Sequence, residues 1–185
     1  MLKWFRVSAV VWCAAMLVAC DNNTPLMEQV LKQDTDKVVT MLKEGAEIDA
    51  RNNFGWTALM HAARLGNNDM VRLLVAQGAD VSAEDSSGWT ALGRAVMKDH
   101  VETAQLLIEL GADPNHAEED GWRLVHWAAQ QGKQRMLKVL VDAGADLTAK
   151  TPAGWTPHMI AQKEGHVDLG NLIARWLREE GLPVQ

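Results

Sequence analysis

At 185 residues the chain is long enough for one compact domain or a short stack of repeats, and with 48% hydrophobic residues it can bury a core, which excludes a disordered polymer. Its formal charge is −6, from 18 basic and 24 acidic residues with no basic stripe, which excludes nucleic acid as a partner. Both cysteines, Cys13 and Cys20, precede the bulk of the chain, so no disulfide or thiolate metal site can form beyond them.

The first element is an N-terminal leader. Lys3 and Arg6 make its start basic, and residues 7–19 form an apolar run of 13 residues. A helix needs roughly 20 apolar residues to cross a bilayer, so this run suits the hydrophobic stretch of an export signal instead. It ends in Leu17-Val18-Ala19-Cys20, which resembles the bacterial lipobox. The alternatives are an ordinary secretory signal with an incidental cysteine, or an uncleaved anchor helix. The resemblance implies that residues 1–19 are cleaved as a lipoprotein signal peptide and that Cys20 is lipidated with palmitate-type chains. Two or three such chains hold a protein stably on a membrane. Asp21 follows the cysteine, and in similar Gram-negative lipoproteins this implies the periplasmic side of the inner membrane rather than the outer membrane. Residues 20–23 form the tether, at most about 10 Å long when extended, so the rest of the protein sits close to the membrane. Losing Lys3 and Arg6 with the leader takes the net charge from −6 to −8.

A period of 33 residues runs through the remainder. Gly55-Trp56, Gly88-Trp89, Gly121-Trp122 and Gly154-Trp155 recur at that step, as do Gly45-Ala46, Gly78-Ala79, Gly111-Ala112 and Gly144-Ala145. Such a period marks a repeat architecture. Thr57-Ala58-Leu59-Met60-His61-Ala62-Ala63 resembles the Thr-Pro-Leu-His-x-Ala-Ala start of the ankyrin repeat, and Arg72-Leu73-Leu74-Val75-Ala76-Gln77-Gly78 resembles its end. The resemblance implies an all-α ankyrin-repeat solenoid spanning 24–185, in five units at about 22–54, 55–87, 88–120, 121–153 and 154–185. Each is a helix-turn-helix with a hairpin loop.

The second unit shows the chemistry. Thr57 is placed to cap a helix through Arg64, and Ala62 and Ala63 allow close helix approach. Gly66 suits a turn with positive φ. The spacing predicts a second helix over 69–76, with Met70, Leu73 and Leu74 on one face, closed by Gly78. Polar residues in the outer helices of the first and last units predict capping ends, so five units are expected to be the whole array. The threonine and histidine by which the family links its units are poorly kept. Met60, Gly93 and Met159 stand at the histidine position, and His126 keeps it where Arg123 replaces the threonine. Gly93 inside a helix costs roughly 1 kcal/mol against alanine, which predicts a weak third unit.

No enzymatic pattern emerges, and no cofactor is expected. The six histidines include no pair at i, i+3 or i+4, so a helical zinc motif is excluded. Glu118-Glu119-Asp120 is an acidic cluster in a hairpin, where solvation predicts ordinary carboxylates. Phosphate loops and nucleophile elbows are absent.

Function is therefore expected from a surface. Hairpins and first helices of the ankyrin family line a concave groove that binds proteins, and register carries this onto three rows. The first is Trp56, Trp89, Trp122 and Trp155; the second is His61, Arg94, Trp127 and Ile160; the third is Asn67, His100, Lys133 and His166. Tryptophan suits binding hot spots, although the first row could instead cover neighbouring units; Trp127, alone of its kind in its row, is the favoured contact residue. The expectation is a monomeric, membrane-tethered, non-catalytic module that binds another protein of the periplasm or inner membrane. It would act as a scaffold, or as an immunity protein against a periplasmic toxin. A small-ligand or lipid-binding platform of tryptophans is the alternative, disfavoured by a repeat step of roughly 10 Å.

Overall fold

The structure is a computed structural model that describes residues 22–118 and 120–184. Cys20, Asp21 and the leader lie outside the described residues. Among the described residues ten α-helices follow in pairs: α1 Pro25–Leu31 and α2 Thr35–Lys43; α3 Ala58–Leu65 and α4 Asn68–Ala76; α5 Ala91–Lys98 and α6 Val101–Glu109; α7 Leu124–Gln130 and α8 Gln134–Asp142; α9 Pro157–Lys163 and α10 Val167–Glu179. Among the described residues no helix is long and apolar enough to cross a membrane.

Each pair forms for local reasons. Thr24, Thr57, Thr90 and Thr156 cap the first helices, their hydroxyls accepting from the backbone N–H three residues on. Asp34 and Asn67 do the same for α2 and α4. The reversals between helices are tight; Gly66 takes φ +71 there, in the left-handed region. One apolar face per helix is buried, Met70 and Leu74 on α4 and Met136, Leu137 and Leu140 on α8 being sealed from solvent.

First helices stack in one row, α1, α3, α5, α7 and α9 in order, while α4, α6 and α8 form a second row behind them. The core is thus a continuous strip between the rows, with small residues such as Ala62, Ala95 and Ala128 where helices come closest. Each unit leans on its neighbours alone, as a solenoid requires.

Hairpins join the units. Residues 52, 85, 118 and 151 donate their backbone N–H to the carbonyls of Trp56, Trp89, Trp122 and Trp155 at 2.9–3.1 Å. Asn52 Oδ1 and Asp85 Oδ1 also accept from the backbone N–H of Trp56 and Trp89, at 3.0 and 3.1 Å. Each indole thereby leaves the base of a hairpin at a fixed angle beside the first helix.

The second-helix caps supply one set of polar links between units. His100 packs on Gly66 and its Nε2–H donates to the Arg64 carbonyl at 3.0 Å; His166 packs on Gly132 and donates to the Gln130 carbonyl at 3.1 Å. Lys133 Nζ donates to the carbonyls of Val96 and Met97, each at 3.0 Å, and Asn67 Nδ2 donates to Gln33 Oε1 at 3.2 Å. His126 adds a link of the sort the resemblance implied. Fully buried, it accepts the Arg123 backbone N–H on Nδ1 and donates from Nε2 to the Ala149 carbonyl, both at 3.0 Å.

Candidate functional site

The three expected rows fare differently. All four tryptophans of the first row are half-buried, and Trp56, Trp122 and Trp155 lie partly on the core. They both cover their units and show an outer surface. In the second row, Arg94 and Trp127 are half-buried, whereas His61 and Ile160 are only 5% and 4% exposed. Those two are packing residues rather than contact residues, a correction that follows from the first helices lying close at their positions. The third row is also corrected. Asn67, His100, Lys133 and His166 turn back onto the preceding unit, and the hydrogen bonds given above engage their polar atoms there.

What remains is not two parallel rows but one interleaved line. The Arg64 and Arg94 guanidinium carbons lie 5.5 and 4.0 Å from the Trp56 ring centre, and Arg94 is also 5.3 Å from Trp89. Trp89 meets Trp127 at 5.3 Å between ring centres, and Trp127 meets Trp122 at 4.9 Å. Cations and rings at these separations attract through the ring quadrupole, and tilted indoles favour each other similarly. The line Arg64–Trp56–Arg94–Trp89–Trp127–Trp122 therefore runs unbroken across units two to four. Lys163 over Trp155, at 5.1 Å, adds a separate pair in the fifth. The expected 10 Å step applies to one row alone; side chains of the second row fill the gaps. Rings about 5 Å apart already touch, so no small molecule fits between them.

At the middle of this line Gly93 and Glu118 change the local pattern. A Cβ on Gly93 would come within 2.7 Å of Trp89 Cε3 and 3.4 Å of Glu118 Oε1. The glycine is therefore where the Trp89 ring and the Glu118 carboxyl lie, and its helix-propensity cost does not measure the strength of the unit. Glu118 occupies the hairpin position of Asn52, Asp85 and Thr151, but Asp120 Oδ1, at 3.0 Å, takes over the acceptance from the Trp122 N–H. Glu118 is instead 4% exposed, with Oε1 buried and unbonded. Burial, aided by Asp120 and opposed by Arg94, pushes its carboxyl up to about 9. The expectation of an ordinary solvated carboxylate is thus overturned at this residue: Glu118 is neutral at neutral pH.

Arg94 pairs with Asp85, whose side chain is 1% exposed. Burial brings the guanidinium down to about 10, still charged at neutral pH. The Nε atoms of Arg64 and Arg94 and Nε1 of Trp127 are buried without acceptors. Beside the two arginines a cavity of about 390 Å³ opens, lined among others by Phe54, Trp56 and His61. Sequence reasoning missed Arg64 and Phe54, and it singled out Glu118 only as a solvated carboxylate. The signal for Arg64 was present, because its repeat position carries Met97, Gln130 and Lys163 in later units and varies as a surface position does.

Comparison with known proteins agrees with this architecture. A family model of ankyrin repeats (3 copies) matches residues 16–118 and 111–181. A stretch of 66 residues, 31% of the chain, is 38% identical to a mitochondrial disaggregase of Bos taurus, covering 10% of that protein. Over 61 residues, 30% of the chain, it is 38% identical to the Homo sapiens mitochondrial disaggregase, covering 9% of it. The likeness spans only about a tenth of either relative's length. With helix pairs stacked at a 33-residue step and the family match spanning nearly the whole sequence, the chain belongs to the ankyrin-repeat family, whose repeats are modules for protein–protein interaction.

Proposed function

We propose that this protein is a lipid-anchored, non-catalytic docking module of the bacterial cell envelope. Cys20 holds it to the periplasmic face of the inner membrane, and its groove grips another envelope protein. The observation that carries the docking part is the interleaved line of half-buried arginines and tryptophans. These residue types dominate interface hot spots, and the fold has already fixed their rotamers, which lowers the entropy lost on binding. The anchor rests on the lipobox-like Leu17-Val18-Ala19-Cys20 and the basic, apolar leader before it.

Two roles suit such a module: a scaffold for a resident envelope enzyme, and an immunity protein whose groove masks a periplasmic toxin. A short tether favours partners at or near the membrane in either role. Cys20→Ala is the test of the anchor. Fractionated cells should release the variant from the membrane while the wild type stays; retention of both would refute lipidation. Deleting the gene separates the roles, since an immunity protein leaves the cell sensitive to its own or a sister cell's toxin and a scaffold does not.

A further inference from the structure

We propose that the cavity between the second and third units receives a single acidic side chain from the partner protein, its carboxylate held by Arg64 and Arg94. This rests on the groove-docking reading and specifies what the groove recognises. The two guanidiniums approach the same indole, Trp56, and both arginines line the cavity. A carboxylate has two oxygens, each able to accept from a guanidinium, so it is the side chain that can engage both arginines at once. The cavity, about 390 Å³, has room for an acidic side chain together with its stem. Phe54, 52% exposed at the hairpin tip, offers that stem an apolar wall.

The charges around the cavity agree. Asp85 lines it and offsets Arg94, and the neutral Glu118 beyond offsets nothing, so Arg64 leaves the cavity with net positive character. The rest of the protein is acidic and repels acidic surfaces at long range. The partner should therefore present an isolated Asp or Glu on a surface that is otherwise neutral or basic.

The test uses the purified full chain in detergent and a display library of random peptides, with binding sites mapped by the NMR shifts of the indole N–H groups. Selected peptides should share one Asp or Glu and shift Trp56. Exchanging that acid for its amide should weaken binding about tenfold or more. Arg64→Gln should erase the difference between acid and amide, while Arg64→Lys should keep part of it; circular dichroism verifies that both variants fold. A consensus without an acid, an acid preference that survives Arg64→Gln, or no selectable peptide would overturn the inference. Peptides that shift the groove indoles without an acid overturn this inference alone. Peptides that leave every groove indole unmoved overturn the docking reading as well.

Discussion

Glu118→Gln should make the protein more stable at neutral pH, by an amount that grows with pH. The carboxyl ionises near 4.5 in an exposed chain and near 9 in the folded one. Between those values the folded state holds a proton that the unfolded state releases, so stability falls as pH rises through that window and levels off above it. Each pH unit costs about 1.4 kcal/mol, which reaches about 3 kcal/mol at pH 7. Glutamine does not titrate and keeps the same shape against Gly93 and Trp89, so the variant should gain about 1–3 kcal/mol at pH 7, the lower figure if the hairpin relaxes. Urea unfolding of both proteins, followed by circular dichroism, measures the difference, and other titrating groups cancel in it. The two should match near the acid end and diverge steadily towards pH 9. Curves that stay parallel from the acid end to pH 9 would show that Glu118 ionises in the folded protein as it does in the unfolded one.

Other consequences follow from the same geometry. Gly93→Ala, which helix propensity alone would make stabilising by about 1 kcal/mol, should destabilise by about 1–3 kcal/mol and move the Trp89 indole signal, because the new methyl meets that ring. Gly66→Ala should cost about 1–3 kcal/mol, from its positive φ and a Cβ 2.7 Å from the His100 ring. His100→Ala should cost about 1–2 kcal/mol, and the double variant less than the sum, as a double-mutant cycle would measure. Burial holds the His126 imidazole below its ordinary 6.5, so the unfolded state takes up the proton first as pH falls. The Glu118 carboxyl has the opposite slope in this range, so the effect is read in the Glu118→Gln background, where stability should drop below about pH 6.5 and the drop should shrink when His126→Leu is added.

The stacking was legible from residue identities because it repeats. Thr57, Gly66 and Met70 perform roles that local chemistry dictates, and a 33-residue step copies them along the chain. The site was less legible because register assigns every unit the same orientation, whereas side-chain length decides where each polar atom ends. His100 and His166 are long enough to reach back over a glycine onto the preceding carbonyl, so a row that looked outward faces inward. Ile160 and His61 share a register with Trp127 and Arg94 but are close enough to neighbouring helices to be covered. Glu118 differs from Asp85 by one methylene; it leaves the hairpin's acceptor role to Asp120 and fills the space that Gly93 leaves. Such exchanges between neighbouring units depend on three-dimensional distances and not on spacing within one unit.

Site-specific photocrosslinking in intact cells tests the groove most directly. A photoreactive phenylalanine analogue in place of Trp127 lies on the arginine–tryptophan line, and one in place of Arg135, exposed on α8, lies on the other row of helices. Docking as described predicts that the Trp127 site captures one envelope protein that the Arg135 site does not. Capture of the same protein only from Arg135, with the Trp127 site silent, would place the working surface elsewhere and contradict the account.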